Sequence, residues 1–296
     1  MREYASYDLT NQEYNQEVTQ YSNNYRELNK FVMSHTHYKC KLDDTLANAI
    51  EASKEKQFII NDDYGETEIG TKQDGPTTNI IVSKKRSFEA AKQYTGKKIA
   101  VLNFANNHSI GGAPYSAGAQ EECLCRTSTL YECLKKEKES FYEKHKRMYS
   151  EGRMNDWGNH DLIYTPDVVV FKTDESAPKM LPKEEWYKVD VITVAAPQLS
   201  YDVGLNIEPF DYGVCALSRL RRVFEIAKKQ GVEVLILGAW GCGAFNNPPF
   251  AVATTFKILC EEYKFDTIEF AVYCNNDDPK NNYHIFKDVI IDSKKM

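Results

Sequence analysis

The sequence predicts an α/β fold with a largely parallel central sheet. Short apolar, β-branched runs alternate with amphipathic helical patterns along much of the 296-residue chain, and this alternation is typical of βαβ units. Residues 78–83, 87–94 and 97–104 read as the first strand, helix and strand of such a unit. A hydrophobic content of 42% with 12% aromatic residues indicates a globular chain with a large core. Antiparallel strands at an edge of the sheet are compatible with this pattern.

The first 77 residues are expected to form a helical extension packed on the core, and residues 78–296 the catalytic domain. Helices are predicted at 21–33 and 42–56, and in the second of these Leu42, Leu46, Ala49 and Ile50 share one face. A turn-rich linker at 61–76 follows, and 135–161 is expected to be a charged surface connection. The remaining strands are predicted at 168–171, 191–196, 232–239 and 267–273, and the remaining helices at 210–229, 248–263 and 283–290. Ser87 is the expected N-cap of the helix at 87–94.

Composition excludes several classes of protein. The chain has 37 basic and 43 acidic residues, a formal charge of −6, which argues against broad contact with nucleic acid. The first residues lack the apolar core of a signal peptide, and we find no run long enough to span a membrane, so we expect an intracellular, cytoplasmic protein. Eight cysteines without a Cys-x-x-Cys pair indicate reduced, buried thiols, and we expect neither a metal nor a cofactor.

Two glycine-bearing loops follow predicted strands and precede predicted helices. The first joins the strand at 97–104 to a helix that begins with Gln120, Glu121 and Glu122. The second runs from Gly241, with Asn247 as possible N-cap and Pro248 as first helical residue of the next helix. In open α/β sheets ligands bind beyond the carboxyl ends of the strands, and a glycine loop before a helix N-terminus binds anions. Acidic residues in a first helical turn also stabilise a helix without any function.

The amino-acid sequences of these loops resemble those of a known family. Asn103-Phe104-Ala105-Asn106, Gly111-Gly112 and Gln120-Glu121-Glu122 occur in this order, followed by matching stretches at 161–171, 191–197 and 237–246. Together they resemble the microbial-type poly(ADP-ribose) glycohydrolases, with continuous similarity over about 78–273. The resemblance implies a macrodomain-like α/β/α sandwich with a mixed central sheet.

The resemblance also implies roles for individual residues. The catalytic residues would be Glu122, as acid and base, and Glu121, as its partner on a ribose hydroxyl, while Asn103 and Asn106 would contact the distal ribose. Turn capping by the two asparagines and core packing of Phe245 remain alternatives. The substrate-binding residues implied are Asn103, Asn106, Gly111, Gly112, Ala113, Gln120, Gly241, Cys242, Gly243, Ala244, Phe245 and Asn246.

The sequence departs from the family at Ala113, where a third glycine is usual, and at Ser109-Ile110. If residue 113 requires a positive φ, an alanine there costs about 1–2 kcal/mol and reshapes the loop. Ala113 therefore keeps a second function class open.

The favoured function is release of ADP-ribose from the end of poly(ADP-ribose) on modified proteins. The alternatives are a non-catalytic ADP-ribose reader and a hydrolase of single ADP-ribose units or of O-acyl-ADP-ribose.

Overall fold

The computed structural model describes residues 7–62, 77–200, 208–276 and 278–292. These residues form a seven-stranded sheet between layers of helices, so the predicted α/β class is confirmed. The strands are β1 (Phe58–Ile60), β2 (Asn79–Ser83), β3 (Ile99–Phe104), β4 (Leu162–Val170), β5 (Tyr187–Val194), β6 (Val234–Leu237) and β7 (Thr267–Ala271). The α-helices are α1 (Asn11–Tyr21), α2 (Tyr25–Leu42), α3 (Asp44–Lys56), α4 (Ser87–Lys92), α5 (Gln120–Thr127), α6 (Leu130–Leu134), α7 (Lys144–Ser150), α8 (Pro209–Lys229), α9 (Pro249–Glu262) and α10 (Asn282–Ile290).

The sheet is mixed. Its order is β1-β4-β5-β3-β6-β7-β2, and the five strands from β5 to β2 run parallel. The strands β4 and β1 run antiparallel to their neighbours at one edge. The carboxyl ends of β3, β6 and β7 therefore meet at one edge of the sheet, where both glycine loops begin.

Alternate side chains of the parallel strands enter two separate cores. Ile99 and Val101 of β3 pack with α4, α5 and α6 on one face, whereas Ala100 and Leu102 pack with α8, α9 and α10 on the other. This alternation follows from the two-residue period of a strand, and burial on both faces explains why the strand is an almost continuous apolar run.

The N-terminal part packs against β4 and is not purely helical. Tyr14, Phe31 and Leu46 join Val169 and Phe171 in a third buried cluster. The sequence missed α1 and the strand β1, which completes the sheet. The helix predicted at 21–33 instead begins after its cap Asn24 and runs on to residue 42.

Within the predicted helix at 42–56, Leu46 and Ile50 are buried as expected. The prediction for Leu42 is wrong, because Leu42 is the last residue of the preceding helix and is 57% exposed. The predicted linker at 61–76 lies outside the described residues from 63 onwards.

The connection at 135–161 is not a surface loop. It contains a π-helical segment at Lys138–Glu143 and the helix α7. Phe141, Tyr142 and His145 are fully buried within it, and the His145 Nε2 atom lies 2.9 Å from Asp161 Oδ2. Most charged side chains of this connection are at least partly exposed, although Glu137 and Asp161 are buried, so the charge pattern does not indicate the buried side.

Two predicted helix caps are displaced by one residue. Ser87 is the first residue of α4, and Arg86 is its N-cap. Pro248 is the N-cap of α9, and Pro249 is its first helical residue. Among the described residues, no helix is both long enough and apolar enough to span a bilayer.

Candidate active site

A cavity of about 320 Å³ opens at the carboxyl ends of β3, β6 and β7. Its walls include part of residues 104–122, which we call the first glycine loop with the start of α5, and part of 239–245 of the second glycine loop. The predicted site residues that line it are Asn106, Gly112, Gln120, Glu121, Glu122, Gly241, Gly243, Ala244 and Phe245. Those that do not line it are Asn103, Gly111, Ala113, Cys242 and Asn246.

Glu122 lies in this wall with one carboxylate oxygen uncommitted. The side chain is 7% exposed, and its Oε1 atom accepts a hydrogen bond of 3.1 Å from the backbone N–H of Ala113. Its Oε2 atom is shielded from solvent and has no partner among the described residues. A buried carboxylate oxygen without a donor is unfavourable, and it is available for a hydroxyl or a proton of a ligand.

Glu121 is committed to the protein. It is 2% exposed, and it accepts hydrogen bonds from Asn106 N at 2.8 Å and from Asn103 Nδ2 at 3.2 Å. Burial raises the pKa of Glu121 well above its usual value, although these two hydrogen bonds oppose the shift. Glu121 therefore holds the beginning of the first glycine loop against β3.

The two asparagines differ in position. Asn103 is fully buried and bonds Glu121 and Thr193, so its side chain supports Glu121 and does not line the cavity. Asn106 lines the cavity, and its Oδ1 atom accepts from His108 N at 2.8 Å and Ser109 N at 2.9 Å. It caps a turn, as one alternative held, while its amide nitrogen is left for a ligand.

The first glycine loop requires two glycines but not a third. Gly111 and Gly112 both have a φ of 65°, which strains residues other than glycine. A Cβ on residue 112 would lie 2.4 Å from Glu122 Oε1. Ala113 is not among the residues with positive φ, so the strain considered for it does not arise.

Gln120 connects secondary-structure elements through its amide. Its Nε2 atom donates to Leu102 O at 2.7 Å and to Ser87 Oγ at 3.0 Å. Its Oε1 atom accepts from Phe104 N at 2.9 Å. Gln120 thus fixes the end of β3 to α5 and α4 while lining the cavity.

The second glycine loop is held by the buried Asn247. Its Nδ2 atom donates to Pro197 O at 2.7 Å and Gly241 O at 3.2 Å, and its Oδ1 atom accepts from Tyr212. Gly241 has a φ of 73° and Asn246 of 57°. Burial raises the pKa of Cys242 to about 12, so its thiol stays neutral.

The cavity is also lined by residues that the sequence did not predict for the site: Arg86, Ser87, Cys123, Asp174, Tyr273 and Asn282. The Arg86 guanidinium lies 4.1 Å from the centroid of the Tyr273 ring. Arg86 is the only Lys or Arg among the described residues that line the cavity. Nothing in the local pattern around Arg86 marks it, because its partners come from distant parts of the chain.

Helix α2 supports the rim of the cavity at residues 113–119, which we call the rim loop. Asn29 is 2% exposed, and its Nδ2 atom donates to Ser116 O at 3.3 Å and Ala117 O at 3.2 Å. A Cβ on the cavity-lining Gly118 would lie 1.2 Å from the Tyr25 hydroxyl oxygen. The N-terminal part therefore shapes the site directly.

Among the described residues, no group of three or more His, Cys, Asp or Glu side chains is placed to hold a metal ion. Two adjacent buried carboxylates beside a cavity with two glycine loops are the groups that a glycosidase for a phosphate-bearing substrate uses. The fold and the site thus have the features of a glycosidase that acts on a phosphate-bearing substrate.

Comparison with known proteins identifies the family. Residues 16–173 match the model of the family described as microbial-type PARG, catalytic domain, where PARG is poly(ADP-ribose) glycohydrolase. The match covers more than half of the chain, so the protein belongs to this family. The family prediction and the prediction of an enzyme are confirmed, and the alternative of a non-catalytic reader is not. The match begins well before residue 78, where the resemblance had been expected to be looser.

Solved structures agree with this assignment. The poly(ADP-ribose) glycohydrolase of Thermomonospora curvata is 26% identical with a TM-score of 0.77, covering 88% of this chain and 98% of that chain. The glycohydrolase of Deinococcus radiodurans in complex with ADP-ribose is 28% identical with a TM-score of 0.71, covering 83% and 98%. A comparison with curated proteins found no match.

Proposed function

We propose that this glycohydrolase cleaves the ribose–ribose O-glycosidic bond at the end of poly(ADP-ribose) and releases ADP-ribose, with Glu122 as general acid and base. The observation that supports this role is the half-used carboxylate of Glu122 in the cavity wall. Glu121 already accepts two hydrogen bonds from the protein, so of the two carboxylates Glu122 is better suited to proton transfer.

We place ADP-ribose along the long axis of the cavity. The distal ribose lies beside Glu122, Asn106 and Phe245, and the diphosphate lies between the two glycine loops. Backbone N–H groups of such loops bind phosphate without lysine, which fits the acidic composition. The adenosine lies at the end formed by Arg86 and Tyr273. The D. radiodurans relative, solved with ADP-ribose, supports this class of ligand.

The reaction then follows glycosidase chemistry. Protonated Glu122 donates its proton to the 2′-oxygen that leaves with the neighbouring unit, while the bond from that oxygen to C1″ of the distal ribose breaks. Positive charge develops at C1″, and the Glu122 carboxylate that this proton transfer leaves behind stabilises it. A water molecule attacks C1″ and gives its proton to the Glu122 carboxylate, which restores the starting form.

We further propose that the chain consists of a helical extension at 1–77 packed on a catalytic domain at 78–296, that it acts on ADP-ribosylated proteins, and that it is cytoplasmic. In support of one compact unit, β1 of the N-terminal part belongs to the same sheet as β4, and α2 contacts the rim loop. The charge of −6 supports local capture of the polymer over a broad basic surface.

The test is Glu122→Gln, which retains an oxygen for the Ala113 N–H but cannot transfer a proton. We expect release of ADP-ribose from polymer to fall at least about 10³-fold, while calorimetry shows ADP-ribose binding within about threefold of wild type. Glu261→Gln, at an exposed position, is the matched control with unchanged activity. Full activity of Glu122→Gln would contradict the role of Glu122, and release from a singly modified protein by the wild type would favour the single-unit alternative.

A further inference from the structure

A second, smaller cavity of about 100 Å³ adjoins the first. The two cavities share Asn106, Ala196 and Phe245, which lie at the end where Glu121 and Glu122 meet the first glycine loop. The small cavity is completed by polar side chains, among them His108, Asn155, Asp156 and Gln198. The shared Asn106 donates its backbone N–H to Glu121 at 2.8 Å, so the small cavity begins beside the carboxylates, and neither Arg86 nor Tyr273 lines it.

His108 brings an unused polar atom to this cavity. Its ring packs edge-on against Tyr149 with 5.3 Å between the centroids. Its Nε2 atom is shielded from solvent and has no partner among the described residues. Burial, together with the positive potential of His145 and Lys146, lowers the pKa of His108. A neutral imidazole offers one donor and one acceptor, which suits a hydroxyl group.

Hydrogen bonds to their side-chain oxygen atoms hold Asn155, Asp156 and Gln198 in place. Asn155 Oδ1 accepts from Trp157 N at 3.0 Å, Asp156 Oδ1 accepts from Tyr149 at 3.0 Å, and Gln198 Oε1 accepts from Ser200. The amide N–H groups of Asn155 and Gln198 have no acceptor among the described residues. These donors are held in place before any ligand arrives.

The chemistry of the lining selects the ligand class. No Lys or Arg is among the described residues that line the small cavity, and Asp156 contributes a carboxylate. Such a lining disfavours phosphate and matches the hydroxyl groups of a sugar, which both donate and accept hydrogen bonds. The volume suits a ribose ring better than a whole nucleotide.

We propose that the small cavity is the subsite for the adenosine ribose of the polymer unit on the leaving side of the scissile bond. The inference rests on the proposed function, because it assumes that the distal ribose of the terminal unit lies beside Glu122. The departing 2′-oxygen belongs to that adenosine ribose, so a pocket next to the carboxylates is where it must lie. A subsite for this ribose makes polymer a better substrate than an ADP-ribose that carries only a small group at C1″.

The test compares two substrates. One is poly(ADP-ribose), and the other is ADP-ribose with a small fluorogenic phenol at C1″ in place of the next unit. His108→Phe keeps the ring packing on Tyr149 and removes both nitrogens. Asn155→Asp keeps the oxygen that accepts from Trp157 N and removes the amide donor. For each variant we expect kcat/KM on polymer to fall about tenfold, as one lost hydrogen bond predicts, with the phenol substrate unchanged.

The controls separate the subsite from other causes. Asn23→Asp, at an exposed position, is expected to change neither substrate, and thermal unfolding of each variant checks the fold. Equal losses on both substrates would overturn the subsite, because they indicate a structural effect on the main cavity. Unchanged polymer cleavage would overturn it as well. A wild type that cleaves neither substrate would refute the proposed function itself, and the subsite with it.

Discussion

A Cβ atom on residue 112 would lie 2.4 Å from the Oε1 atom of Glu122. The absence of a side chain at Gly112 is thus what allows the Glu122 carboxylate to reach the backbone N–H of Ala113. Only Gly112 of the glycine pair serves the carboxylate in this way, because a Cβ on Gly111 would meet the side chains of Cys125 and Tyr131 instead.

Gly112→Ala should displace Glu122 and lower kcat on polymer by at least about 10²-fold, since small shifts of a catalytic group have effects of this size. The left-handed backbone should add a loss of about 1–2 kcal/mol in the free energy of unfolding. Steady-state kinetics and chemical denaturation measure the two effects. Gly152→Ala is the matched control, because Gly152 has a φ of 68° with open space around it. This variant should lose stability while its kcat stays unchanged. Equal kcat values for the two variants would exclude the contact with Glu122 as the cause.

Glu121→Gln should change how stability depends on pH. Because burial raises the pKa of Glu121, folding favours the neutral form. The stability that Glu121 contributes to the folded protein is fully present below the usual carboxyl pKa of about 4.3. This stability is lost as pH rises through the raised pKa. Glutamine cannot ionise, so Tm of the variant minus Tm of the wild type should increase from about pH 5 to about pH 8. Glu261→Gln should show no such trend, and a constant difference for Glu121→Gln would refute the argument.

Asn29→Ala should weaken substrate binding without changing the rate of the chemical step. The change leaves Ser116 O without the donor that Asn29 supplies and loosens the rim loop. We expect KM for polymer to rise about fivefold, near 1 kcal/mol, and kcat to stay within about twofold. Asn29→Asp should raise KM at least as much, since its oxygen would face two carbonyls. The exposed Asn23→Ala is the control. A fall in kcat with unchanged KM would show that α2 acts on the carboxylates instead.

Arg86→Gln should raise KM about tenfold with little change in kcat, because Arg86 is the only cation in the described lining of the cavity and the proposed function places it at the adenosine end of the substrate. KM of the variant should also depend less on ionic strength. Lys92→Gln is the control: Lys92 is the last residue of α4, which Arg86 caps, and it pairs with Glu185 at the surface. An Arg86→Gln enzyme with normal KM and normal salt dependence would place the anionic substrate elsewhere.

Periodic patterns predicted the scaffold of the site well. The first four residues of the strand, Ile99 to Leu102, are apolar and buried, the buried Asn103 follows them, and the glycines beyond the strand mark the turn into α5. Both features are local, so one stretch of sequence contains them. The position of Glu121 and Glu122 in the first turn of α5 follows from the same pattern.

The features that the sequence missed depend on contacts between distant residues. Arg86 enters the cavity because it meets Tyr273, 187 positions later in the chain. Asn103 bonds Glu121 and Thr193 instead of lining the cavity. Phe141, Tyr142 and His145 are buried in a stretch whose many charges indicated exposure. In each case the deciding partner belongs to another element.

The strand β1 has a consequence for shortened forms of the protein. Its three residues pair with the first three residues of β4, Leu162 to Tyr164, whose outer hydrogen-bonding groups would otherwise face water as an open ladder. A truncated chain that starts near residue 78 would present that ladder to other molecules, together with the apolar side chains of Val169 and Phe171. Such a fragment should self-associate through strand addition.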